Sequence, residues 1–156
     1  MSPELSKTFL RIDETIAHWM YCYGRFFLRI SLAVVFMWFG ALKIVRISPA
    51  EDLVARTVYW FNPDVFIPIL GWWEVLIGVC LFFKTLIRPA IFLLFVQMPG
   101  TALPLFILPH VCFTSIPFGL TLEGQYIVKN LVLIAAALVV GGTVRRPPEA
   151  NKKVWV

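Results

Sequence analysis

The stretch FFLRISLAVVFMWFGALKIV, Phe26–Val45, decides the fold. Its 20 residues, at about 1.5 Å each, cover about 30 Å, one hydrocarbon core. Phe66–Phe83, Leu86–Leu108 and Gln125–Gly142 are three further stretches of the same kind. The chain has 156 residues, 60% of them hydrophobic, and a mean hydropathy of +0.82. A soluble domain of this length could not hide that much apolar surface, so lipid is the solvent for most of it. The sequence predicts an all-α, four-transmembrane-helix bundle over residues 25–142. An N-terminal amphipathic interfacial helix (1–24), a short outer-loop helix and a basic tail (143–156) complete it. Four spans leave no room for a soluble catalytic module.

Residues 1–25 mix Glu4, Lys7, Arg11, Asp13 and Glu14, and the apolar run after them is too long for the core of a cleavable leader. That pattern reads as a signal-anchor. Lys7, Arg11, Arg25, Lys84, Arg88, Arg145, Arg146, Lys152 and Lys153 fall on one side of the four spans, and only Arg46 and Arg56 on the other. Nine against two predicts both termini in the cytoplasm. The net charge of +5 is then a topological bias, and nucleic acid is not an expected partner.

Leu5, Phe9, Ile12, Ile16, Met20 and Tyr23 recur at spacings of three and four, with Lys7, Arg11, Glu14 and His18 on another face. Ser2-Pro3 offers an N-cap. Such a helix suits the membrane surface, or packs its apolar face on the bundle or a partner. In the first span Arg29, Ala33, Phe36, Gly40 and Lys43 share a face. Ser48-Pro49-Ala50-Glu51 is a capping-box signature and Asn62-Pro63-Asp64 a breaker, which predicts the short outer helix between them. Gly71, Glu74 and Gly78 share a face of the second span. The third, with Gln97 at its midpoint, is interrupted by Pro99-Gly100 and Pro104, so a kink or break is expected there. The fourth begins Gln125-Tyr126, with Lys129-Asn130 a turn later.

Charges inside spans are costly, about 2.5–3.5 kcal/mol each at a helix centre on insertion scales. The predicted topology puts Lys43, Glu74, Gln97, Tyr126, Lys129 and Asn130 at compatible depths in the outer half. Arg29 stands apart, near enough to the inner headgroups to snorkel. Two readings stay open. Either Glu74 and Lys129 form a structural ion pair, or the cluster is functional, as a polar pocket for a small anionic or quinone-like ligand or around a proton-relay carboxylate.

Other chemistry finds little support. Haem needs an axial ligand, and His18 and His110 lie outside the spans. His110 and Cys112 make a weak metal pair better read as a solvated loop. Cys22, Cys80 and Cys112 are scattered, with no CxxC, so neither a metal site nor a disulfide is expected. There is no Ser/His/Asp set, phosphate loop or paired catalytic carboxylates, so no catalytic residue is assigned and an enzyme acting alone is not expected.

RISLAVVFMWFGALKI (Arg29–Ile44), followed by Ser48-Pro49, resembles the first span of the DoxX-like membrane proteins, especially their reactive-chlorine-resistance branch. GWWEVLIGVCLF (Gly71–Phe82) resembles the second span and TLEGQYIVKNLVLIAAAL (Thr121–Leu138) the last. The resemblance implies a four-helix protein of the bacterial inner membrane, with Arg29, Lys43, Glu74 and Lys129 as the family-like polar residues. It also implies kinship with small subunits of a quinol oxidase or a thiosulfate:quinone oxidoreductase, and with accessory partners of oxidative-stress enzymes. The leading expectation is an accessory subunit of a membrane redox system, with quinone as the possible ligand and the electrons carried by a partner subunit. The alternatives are an assembly subunit docking a larger complex, and a homo-oligomer that passes a small solute or ion.

Overall fold

The computed structural model describes residues 3–144, with side chains from Leu10 onward. The N-cap expected at Ser2 and the cations at Arg145, Arg146, Lys152 and Lys153 lie outside the described residues. Helix α1 runs over Pro3–Ile44, α2 over Glu51–Thr57 and α3 over Pro63–Phe82. A 3-10 turn, Lys84–Leu86, leads into α4 (Ile87–Ala102), α5 (Pro104–Ile107) and α6 (Pro109–Cys112). A small hairpin, β1 (Phe113–Ser115) and β2 (Gly119–Leu120), precedes α7 (Leu122–Gly141). Among the described residues four segments are long and apolar enough to cross a membrane, and this is a multi-pass membrane protein built as a helical bundle.

The four long helices form a ring. Helix α1 lies beside α3 and α7, and α4 beside α3 and α7. Helices α3 and α7 therefore sit on the diagonal. Four crossings put both ends of the described chain at one end of the bundle, and α2 and the hairpin at the other. The apolar core fills the half nearer the chain ends: Leu32, Phe36, Ile77, Leu81, Leu94 and Val140 are among its buried members. Most other apolar side chains face outward, as lipid-facing helices require.

The amphipathic stretch expected over residues 1–24 is helical over its described part and joins the first span without a break. No proline follows Pro3 before Ile44, and Gly24 lies in helical stride, so nothing turns the chain there. The 42 residues of α1 reach about 63 Å at ~1.5 Å each, twice a hydrocarbon core. Leu10–Phe27 is exposed throughout, because α3 and α7 have ended at that level.

The short outer helix appears as α2. Its start differs from the expected capping box: the Ser48 hydroxyl accepts from the amide of Ala50 at 3.4 Å, and Ala50, without a side-chain cap, occupies the N-cap. Asn62 does cap α3, its side-chain oxygen accepting from the Asp64 amide at 2.9 Å. The break expected in the third span comes later than the first proline. Helix α4 continues through Pro99 to Ala102, and the chain restarts at Pro104. Pro99 and Gly100 are exposed, so that face looks out of the bundle. The hairpin sets Phe113 opposite Leu120 and Ser115 opposite Gly119.

Candidate functional site

Helices α1 and α3 run antiparallel and touch through glycine. A Cβ on Gly40 would stand 2.5 Å from the carbonyl oxygen of Gly71 and 2.8 Å from the amide of Val75. A Cβ on Gly71 would stand 2.8 Å from the Gly40 carbonyl oxygen and 3.0 Å from the Cβ of Lys43. Backbones this close leave no room for side chains between them, the general use of small residues between membrane helices. Gly78 meets Ala33 and Met37 in the same way further along.

That approach sets the charges. Lys43 lies in the last turn of α1, where a cation also complements the helix dipole. Its side chain passes the bare face of Gly71 and ends 2.6 Å from Glu74 Oε2. The Gln97 amide, on α4, donates to Glu74 Oε1 at 2.7 Å. All three residues are buried, with 8%, 6% and 8% exposure for Lys43, Glu74 and Gln97. Both carboxylate oxygens are therefore occupied, one by a cation and one by an amide. The short Lys43 contact is of the charge-assisted kind. One acceptor is left over: Gln97 Oε1 is buried without a hydrogen-bond partner. Lys43 has three N–H groups, and the Glu74 contact uses one.

The remaining expected site residues are elsewhere. Lys129 and Tyr126 are exposed on the outside of α7 and Asn130 is half-buried. The Lys129 ammonium lies 4.9 Å from the centroid of the Tyr126 ring. The ion pair that one reading placed between Glu74 and Lys129 is thus replaced by Glu74 with Lys43. The cause is the ring order: α7 stands diagonally across from α3, whereas the glycine contact brings α1 directly against it. Arg29 is buried, at 8% exposure, with its guanidinium 5.6 Å from the Phe26 ring centroid. It shares its helix face with Ala33 and Phe36, so it points at the bundle rather than out to the headgroups.

A second polar group, missed in the sequence, fastens the loops at the α2 end. Arg46 ends α1 in the left-handed region, with φ of 62°. The amide of Ile47 reaches back to the Leu42 carbonyl at 3.1 Å and that of Arg46 to Lys43 at 3.3 Å, the pattern of a Schellman stop. The Arg46 guanidinium then meets Asp64 Oδ1 at 2.6 Å and Glu51 Oε2 at 3.6 Å, joining α1 to the starts of α2 and α3. Its signal in the sequence is one basic residue among loop acids.

Among the described residues no group of three or more His, Cys, Asp or Glu side chains is placed to hold a metal. His110 is exposed and Cys112 buried. Burial pushes the Cys112 thiol up from its ordinary pKa, and the charge of Glu123 adds to the shift. No family model matches the chain, and no curated protein or solved structure gives a significant match.

Proposed function

We propose that this protein is a DoxX-like accessory subunit of a membrane redox system, quinone-linked or protecting against oxidants. The triad at the α2 end of the bundle would be its ligand-contacting group. One observation carries the reading: the buried Glu74–Lys43–Gln97 triad keeps an unfilled acceptor, Gln97 Oε1, and a partly used donor, Lys43, each bound to a different oxygen of Glu74. A donor and an acceptor in one buried group suit a headgroup that is a carbonyl when oxidised and a hydroxyl when reduced. A quinone would supply the two-electron, two-proton chemistry. The chain's own part is to hold Glu74 oriented between Lys43 and Gln97, while the electrons pass through a partner subunit. The stretches that carry the DoxX-like resemblance in α1 and α3 are the same ones that meet at Gly40–Gly71 and Lys43–Glu74. On the Lys/Arg bias, both termini and the long end of α1 face the cytoplasm of a bacterial inner membrane.

The exposed length of α1 favours a second reading, a docking subunit. Ile12, Ile16, Trp19 and Tyr23 are each 51–54% exposed along the part of α1 that runs beyond α3 and α7. A rod about 27 Å long, at ~1.5 Å per residue over Leu10–Phe27, offers another subunit an apolar strip.

The test is a mild-detergent pull-down from native membranes, scored for co-purifying subunits and extractable quinone. The redox reading expects a stoichiometric oxidoreductase, with quinone that falls away in Gln97→Leu. A large assembly without quinone, indifferent to Gln97→Leu, makes the chain a docking subunit. A homo-oligomer with neither would overturn both.

A further inference from the structure

We propose that Tyr126 and Lys129 form a site on the outside of α7 for the phosphate of a phospholipid, in the leaflet at the α2 end of the bundle. Helix α7 has 20 residues, about 30 Å at ~1.5 Å each, so it is just long enough to cross. Lys129 is seven residues past Leu122, about 10 Å below the start of the helix. It is exposed and, among the described residues, makes no salt bridge or hydrogen bond. Its neighbours on the outer surface of α7 are open and mostly apolar: Leu122 is 69% exposed, Val132 68% and Tyr126 67%, with the exposed amide of Gln125 a turn before it. This is a lipid-facing surface with one cation in it, and a cation facing lipid needs an anion.

Among the described residues none is placed against it. Glu74 is committed to Lys43 and Gln97 on the diagonal helix. Glu123 stands six residues before Lys129, about 120° away around α7. The direction of the Lys129 side chain shows where the anion comes from. Helical side chains lean toward their own N-terminus, and the ammonium lies 4.9 Å from the Tyr126 ring centroid, nearly a turn closer to the start of α7. That lift brings the charge to about 6 Å below Leu122, within reach of the headgroup layer. The ring contributes a cation–π contact but no negative charge. A phosphate oxygen would neutralise the ammonium, and the Tyr126 hydroxyl is a second donor. Leu122 and Val132, above and below, suit the glycerol and acyl portions of the same lipid. The site is independent of the triad and of any redox role.

The test uses the purified full chain in maltoside detergent, with bound lipid counted by native mass spectrometry. Phosphatidylglycerol should bind wild type and Lys129→Arg at least tenfold more tightly than Lys129→Met, with Tyr126→Leu in between. Diacylglycerol, which has the chains without the phosphate, should not bind comparably, and 10-fold excess inorganic phosphate should not displace the lipid. Position 129 is exposed, so the methionine variant should keep wild-type helicity and thermal stability. Equal phosphatidylglycerol affinity in wild type and Lys129→Met would overturn the proposal. So would displacement by inorganic phosphate, which would make this a free-anion site. A co-purifying protein released by Lys129→Glu, with lipid affinity unchanged, would overturn it in favour of a partner's carboxylate.

Discussion

Gly71 gives Lys43 its route to Glu74. The Cβ of Lys43 lies 3.0 Å from where a Gly71 side chain would begin, and the ammonium ends 2.6 Å from Glu74 Oε2. Lys43 and Glu74 each follow a contact glycine by three residues, Gly40 and Gly71. In antiparallel helices that spacing carries the two charges apart along the axis. Only a long side chain running back over a bare glycine closes the gap.

Gly71→Ala should therefore act on the ion pair as well as on packing. Overfilling a close-packed contact costs about 1–3 kcal/mol, and here the added methyl also presses on Lys43. Gly24→Ala is the control, since a Cβ there meets nothing within 4 Å. It should be neutral or stabilise the helix by up to about 1 kcal/mol. Thermal unfolding in detergent distinguishes the two, with the melting temperature lowered only by the change at Gly71.

Gln97→Leu removes the amide that donates to Glu74 Oε1 and leaves that oxygen buried without a partner. The expected loss is about 1–3 kcal/mol. Gln97→Glu should be worse, because it brings a second carboxylate against the first. Equal stability of the leucine variant and wild type would show that water reaches Glu74.

Arg46 holds a left-handed backbone and two ion pairs at once, and two substitutions separate these roles. Arg46→Ala loses the ion pairs and keeps the strained φ. Arg46→Gly loses the same pairs but suits the backbone by about 1–2 kcal/mol. The pairs are partly solvated, with side-chain exposures of 38% for Arg46 and 79% for Asp64, so each contributes at most about 1 kcal/mol. Glycine should be the more stable variant, and both should loosen the 46–64 loop in hydrogen exchange.

Thiol chemistry should be selective. Cys22 is exposed, 3.5 Å from His18 Nε2, whereas Cys80 and Cys112 are buried. Maleimide should label Cys22 alone in the folded protein. The raised pKa of Cys112 means that this thiol stays protonated to higher pH than a free one. Its labelling should stay slow as pH rises through the ordinary thiol range, and become fast only on unfolding.

The sequence made the bundle legible because the four apolar runs are each about as long as a hydrocarbon core, and lipid permits few other structures of that length. Lys43, Glu74 and Gln97 were legible as members of a cluster from their depths alone. Their pairing was not, because depth does not say which helices are neighbours. Lys129 matched Glu74 in depth and opposed it in charge, yet α7 faces α3 only across the diagonal. The contact between Gly40 and Gly71 decides the partner, and each glycine alone reads merely as a small residue on a stripe. Arg46 was hidden for another reason: a residue that is not glycine gives no local sign of a left-handed helix stop. The break near Pro99-Gly100 and Pro104 was legible, but its position was not: α4 runs through Pro99 and the chain restarts only at Pro104.

The most direct test of the account is a double-mutant cycle on Lys43 and Glu74, read by thermal unfolding of the purified chain. Lys43→Met or Glu74→Gln alone should cost about 3–5 kcal/mol, because each leaves the other group buried without its partner. Together they should cost far less than their sum. Glu74→Gln combined with Lys129→Met should be no better than Glu74→Gln alone. Rescue by Lys43→Met confirms that the α1–α3 pair organises the site. Additive losses at Lys43 and Glu74, or rescue by Lys129→Met instead, would contradict it.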